Sequence, residues 1–133
     1  MLARFATTAP RALNGLAGVV PRAAFSSEIP INQVASVYRY ADVGGEDTAV
    51  KVDEILKEAM GKLSSQPGYV KTVRTVCKSE WAYEMEFVFD SYDSFVAYAG
   101  SDVKEKEVTP ILEKATKLVG SEPYSGARVY DEL

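Results

Sequence analysis

Residues 67–98 read PGYVKTVRTVCKSEWAYEMEFVFDSYDSFVAY, and this stretch decides the fold. From Trp81 onward the residues alternate without a break. Trp81, Tyr83, Met85, Phe87 and Phe89 fall on one face, and Ala82, Glu84, Glu86, Val88 and Asp90 on the other. Period two with aromatic and β-branched enrichment marks a half-buried strand. Residues 69–77 read as its hairpin partner. Residues 92–99 read as a short helix that follows at once, capped by Asp90 or Ser91 and closed by Gly100 in left-handed geometry. A face of five large apolar side chains has to be covered, and amphipathic helices elsewhere in the chain are the segments able to cover it.

Two such helices are legible. Between Asp47 and Ser64 the residues Val52, Ile55, Leu56, Ala59, Met60 and Leu63 recur at threes and fours, with Glu46 or Asp47 as cap and Ser64–Gly68 as stop. Later, Val108, Ile111, Leu112, Ala115, Leu118 and Val119 form a second stripe that Gly120 ends. Asp102 and Glu105 have capping-box spacing, but Pro110 makes the segment from Val103 irregular, so the regular helix starts at Pro110. Residues 33–40 read as a first strand, with Val34, Tyr38 and Tyr40 on one side. Residues 125–130 read as a last one.

Residues 1–27 have a different composition: Arg4, Arg11 and Arg22, many small and hydroxyl residues, and no acid before Glu28. That is the composition of an organellar transit peptide, and Arg22–Ser26 resembles a mitochondrial processing site. The expectation is a removed mitochondrial leader at 1–27 and a single domain at 28–133, addressed to the matrix; a plastid address is the alternative. The apolar residues never form the uninterrupted core of a secretory signal. The whole chain carries −4 and the first 27 residues +3, which leaves −7 for the remainder. An acidic domain without a concentrated basic face is a poor binder of phosphate backbones, so no nucleic-acid partner is expected. No apolar run approaches the roughly 20 residues of a membrane-spanning helix.

The chain contains no histidine and one cysteine, Cys77. The usual general base near neutral pH and the commonest metal ligand are therefore missing. No cofactor or metal is expected, and Cys77 reads as a buried or half-buried structural thiol.

Strand, helix, strand, strand, helix, strand is the order of a split βαβ unit. The predicted fold class is α+β and ferredoxin-like: a four-stranded antiparallel sheet with helices on one face. A three-residue hairpin loop, Lys78–Glu80, would place Cys77 opposite Trp81 and Arg74 opposite Glu84. Such a charge pair contributes about 0.2–1 kcal/mol. Arg74, Glu84, Glu86 and Val88 then lie on the side away from the helices and are the candidate interface residues of a homodimer.

Gln66-Pro-Gly-Tyr-Val, the hairpin ending Met85-Glu-Phe-Val-Phe-Asp, and Ser91-Tyr-Asp-Ser-Phe-Val-Ala-Tyr98 together resemble the dimeric α+β barrel superfamily. Within it the stress-responsive A/B barrel domain is the first match and the antibiotic biosynthesis monooxygenase branch the second. The resemblance covers about residues 32–131 and implies a dimer. Where these families commonly carry a histidine segment, this chain has Gly100-Ser-Asp-Val-Lys-Glu-Lys106, so histidine-dependent haem binding or cyclisation is not carried over.

The aromatic stripe is read most simply as core. Its sharper reading is a pocket for a hydrophobic or aromatic small molecule, with Tyr38, Trp81, Tyr83, Met85 and Tyr98 as candidate lining. Glu84 and Glu86 read as surface or interface carboxylates rather than as an acid–base pair. The leading functional expectation is a non-catalytic homodimeric mitochondrial binding module of the stress-responsive type. The alternatives are a cofactor-independent monooxygenase or cyclase on an aromatic substrate, and an accessory subunit of a mitochondrial complex.

Overall fold

A computed structural model of the chain describes residues 29–133. The expected leader at 1–27 lies outside the described residues. Ile31–Leu133 forms one unit with the element order β1 (Gln33–Tyr40), α1 (Glu46–Leu63), β2 (Tyr69–Cys77), β3 (Ala82–Phe89), α2 (Tyr92–Ala99), a π-helical turn (Val103–Val108), α3 (Thr109–Val119) and β4 (Tyr124–Tyr130). The four strands make one antiparallel sheet in the order β2-β3-β1-β4. This is the ferredoxin-like α+β arrangement expected from the order of elements. Among the described residues, no helix is long and apolar enough to cross a membrane.

The core lies where the β3 pattern placed it. Tyr83, Met85, Phe87 and Phe89 are buried with Val52, Leu56, Ala59 and Leu63 of α1 and with Ile111, Leu112 and Ala115 of α3. Each fully buried side chain of this kind is worth about 1.5–3 kcal/mol of transfer free energy. Ser91 caps α2, its hydroxyl accepting from the Ser94 N–H at 3.1 Å. Gly120 ends α3 in the left-handed region at φ 88°.

Several local expectations are corrected. Gly45, not an acid, precedes α1, and no side chain caps it; Glu46 and Asp47 sit in the first turn, where carboxylates complement the helix dipole. Gly100 closes α2 at φ −100°, outside the left-handed region. The Asp102/Glu105 capping box does not form. Ser101 takes the role, its Oγ accepting from the Lys104 N–H at 3.2 Å.

The hairpin register is also corrected. Cys77 pairs with Ala82, so the loop has four residues, Lys78–Trp81, and Arg74 lies opposite Met85 rather than Glu84. Trp81 leaves the strand and turns the chain at φ 57°. A left-handed residue with a Cβ costs about 1–2 kcal/mol. The cost is offset by the ring packing against the core and by two backbone bonds: Trp81 N–H to Cys77 O at 2.6 Å, and Val43 N–H to Trp81 O at 2.8 Å. The extra loop residue moves β2 by one position and exchanges its two faces. Thr72, Arg74 and Val76 come to the helix side, and Lys71, Val73 and Thr75 leave it. A bulge between Tyr69 and Lys71 resets the far end, so that Tyr69 again faces Phe89.

On the helix-free side Ala35, Val37 and Val88 form a second small buried cluster, with Val73 and Tyr130 packed against it. Lys71 and Tyr130, from the two edge strands, meet above the middle strands: Lys71 Nζ sits 4.9 Å from the Tyr130 ring and 2.7 Å from Glu132. Arg128 bridges Glu84 at 3.1 Å and Glu86 at 3.6 Å, and Arg39 approaches Glu84 at 3.9 Å. Of the four interface candidates, Glu84, Glu86 and Val88 are on this side. Arg74 is not, because the register sends it to the helices, where it binds Asp53 of α1 at 3.0 Å.

Candidate functional site

Antiparallel pairing places Met85, Tyr38 and Ser125 in one row across three strands, all facing the helices. Two residues along β1, Tyr40 faces the same way. Above them α3 presents Thr109, Leu112, Glu113 and Thr116, and the turn into β4 adds Glu122 and Pro123. Between sheet and helix these residues enclose a cleft of about 240 Å³. That is slightly below the usual range for drug-sized ligands and suits two or three fused rings. Met85 forms an apolar floor, phenols stand along one wall, and Glu113 and Glu122 lie at the same cleft.

The phenols differ in their settings. The Tyr40 hydroxyl meets Thr116 Oγ1 at 2.8 Å. Burial pushes its pKa above the usual tyrosine value, and the charge of Glu122 adds to that against the opposing hydrogen bond. Tyr38 is also raised by burial, with a bond to Ser36 opposing, and its ring tilts at 57° on Phe87. Tyr98 is fully buried, its ring stacked on Phe89 with centroids 4.8 Å apart. Burial raises its pKa most, and the neighbouring Tyr38 adds to the rise. Among the described residues its hydroxyl has no hydrogen-bond partner. An orphaned buried hydroxyl costs about 1–3 kcal/mol.

Of the five lining candidates, Tyr38 and Met85 line the cleft and Tyr98 does not. Trp81 and Tyr83 are not part of it. Tyr83 turns under α1, where its hydroxyl donates to Asp53 Oδ1 at 2.5 Å while Arg74 holds Oδ2. Burial first, then Asp53, pushes the Tyr83 phenol far up. This Arg74–Asp53–Tyr83 chain ties α1 to the hairpin and is structural. Sequence reading missed Tyr40, Thr116, Glu113, Glu122 and Ser125 as lining residues. The polar spacing Thr109–Glu113–Thr116, flanking the apolar stripe of α3, was the available signal.

Cys77 is exposed, contrary to the expectation of a buried or half-buried thiol. The Ser79 hydroxyl, 3.2 Å from Sγ, and the N–H groups of Glu80 and Ser79 lower its pKa. Glu86 is raised by burial and by its neighbour Glu84, with Arg128 opposing. Among the described residues no group of three His, Cys, Asp or Glu side chains is placed to hold a metal ion.

No family model and no curated protein matches this chain. Solved structures do. The chain is similar to a cofactor-independent oxygenase, SnoaB, from Streptomyces nogalater: TM-score 0.58, 16% identity, 77% of this chain and 96% of that one. It is also similar to a monooxygenase from the gene ActVA-Orf6 of Streptomyces coelicolor, solved with the ligand nanaomycin D: TM-score 0.59, 16% identity, 77% and 90% covered. A conserved protein from Methanosarcina mazei Go1 superposes with TM-score 0.56 at 9% identity, over 76% of this chain and 95% of that one. At such identities the likeness is one of fold.

Proposed function

We propose that this chain binds a flat aromatic molecule in the cleft between β1 and α3 and oxygenates it without a cofactor. The observation that carries the reading is that Tyr38, Tyr40, Met85 and the exposed Glu113 and Glu122 all line one cleft. The oxygenase activity of proteins sharing the fold supports it over the non-catalytic expectation. An oxygenase without a cofactor needs a substrate that supplies the electrons itself, such as an activated diaryl methylene. In the balanced step the CH₂ carbon loses two hydrogens. One atom of O₂ becomes its carbonyl oxygen and the other leaves as water. The carbon loses four electrons, and O₂ gains them.

Deprotonation of the methylene must come first. With histidine missing and the phenols pushed above their usual range, Glu113 and Glu122 are the groups able to take the proton. Oxygen uptake with anthrone, followed with ¹⁸O₂, checks this. One labelled oxygen is expected in the product, and the Glu113→Gln/Glu122→Gln double variant is expected to lower kcat by about 10²-fold or more. Anthrone that binds without oxygen uptake would leave the second reading, a binding module using the same cleft.

We also infer a homodimer through the helix-free side. Glu84 and Glu86 beside Arg39 and Arg128 give that side both signs of charge, which is compatible with a self-complementary twofold contact. Light scattering of residues 28–133 should return twice the mass of one chain; a single-chain mass at every concentration contradicts it.

A further inference from the structure

We propose that the Thr116 hydroxyl is the hydrogen-bond donor of the cleft, held to a carbonyl oxygen of the aromatic ligand, with Tyr40 as the positioning residue that leaves the Thr116 proton free for it. The proposal rests on the binding reading above and adds the chemical class of the ligand, an aromatic ketone, and the place in the cleft where its oxygen sits.

Tyr40 belongs to β1 and Thr116 to α3, so the two stand on the sheet wall and the helix wall of the cleft, and both line it. Their hydroxyls meet at 2.8 Å. Two hydroxyls hold two protons, and the bond between them uses one. The surroundings decide which. Tyr40 is only 1% exposed, whereas Thr116 is half-buried. With Thr116 as donor the phenolic proton would be shut inside the protein without an acceptor, at a cost of about 1–3 kcal/mol. With Tyr40 as donor the proton left over is that of Thr116, on the more open of the two residues. Burial pushes the Tyr40 pKa up and keeps the phenol in the neutral form, which donates.

The group that meets this proton has to be an acceptor. Glu113 and Glu122 line the same cleft and disfavour a ligand that brings a negative charge of its own. A neutral carbonyl oxygen on the ring system meets both conditions. A hydrocarbon of the same shape leaves the Thr116 proton unpaired and binds less well for that reason.

The test uses 1-tetralone and tetralin, one ring frame with and without a carbonyl, titrated calorimetrically into the wild type and three variants. The wild type should favour 1-tetralone. In Thr116→Val, which keeps the shape and removes the donor, that preference should fall by about tenfold with tetralin affinity unchanged. Thr116→Ser restores the hydroxyl and should hold the preference to within about twofold of wild type. Tyr40→Phe keeps the Thr116 proton but no longer directs it, and should lose about threefold. If Thr116→Val does not fold, the Tyr40→Phe/Thr116→Val double variant carries the same test, since it leaves neither hydroxyl unpaired. An undiminished preference without the Thr116 hydroxyl, an equal loss in Thr116→Ser, or no preference in the wild type overturns the donor role and leaves the cleft reading standing. A full preference in Tyr40→Phe overturns the part given to Tyr40. Binding of neither compound to the wild type overturns the donor role and the cleft reading together.

Discussion

Replacing Phe89 by alanine is expected to cost the domain about 3–5 kcal/mol. The ring is fully buried at the end of β3, stacked on Tyr98 at 4.8 Å and approached edge-on by Tyr69 at 6.2 Å and Phe95 at 6.3 Å. Truncation leaves a cavity lined by three other rings that stiff strands and a helix keep from collapsing. Domains of this size have about 5–15 kcal/mol in total, so the variant should sit near the edge of folding at physiological temperature. Urea denaturation measures it directly. Phe89→Leu should cost much less, since it keeps most of the apolar volume. A loss below about 1 kcal/mol for the alanine variant would mean that the β3 stripe is not the core.

The second large effect is on binding. Ser125→Trp is expected to abolish affinity for aromatic ligands, by about 100-fold or about 2.7 kcal/mol, while leaving the fold intact. Ser125 is exposed on β4, faces the helices beside Tyr38, and borders the cleft. A tryptophan there is compatible with a strand, so stability should change little, whereas the indole occupies the volume a ligand would use. Calorimetry with 1-tetralone and circular dichroism on the same samples separate the two effects. Unchanged affinity in a folded variant would place the ligand elsewhere.

The parts of the fold visible in the sequence are those set by local period. The β3 alternation, the α1 stripe and the stop at Gly120 are each written within one segment, and Pro110 announced the irregular turn before α3. The hairpin register was not visible, because two non-local facts decide it. Trp81 gains more by packing from a left-handed turn than by extending the strand, and Arg74 finds Asp53, 21 residues away, rather than Glu84. The site was legible in residue type but not in grouping. Tyr38 and Met85 line one cleft, while Tyr83 comes to rest under α1 and Trp81 in the turn. Which helix covers which tyrosine depends on how α1 and α3 divide the sheet, and the period of β3 carries no information on that. The orphaned hydroxyl of Tyr98 could not be read at all, since a missing partner is a property of the packed interior.

The central claim is that an aromatic ligand occupies the cleft under α3, and backbone amide chemical shifts during titration with 1-tetralone test it most directly. Shifts should concentrate at Tyr38, Tyr40, Leu112, Thr116 and Ser125. Shifts confined to the helix-free side around Val37, Glu86 and Arg128, or none at saturating ligand, would contradict the account.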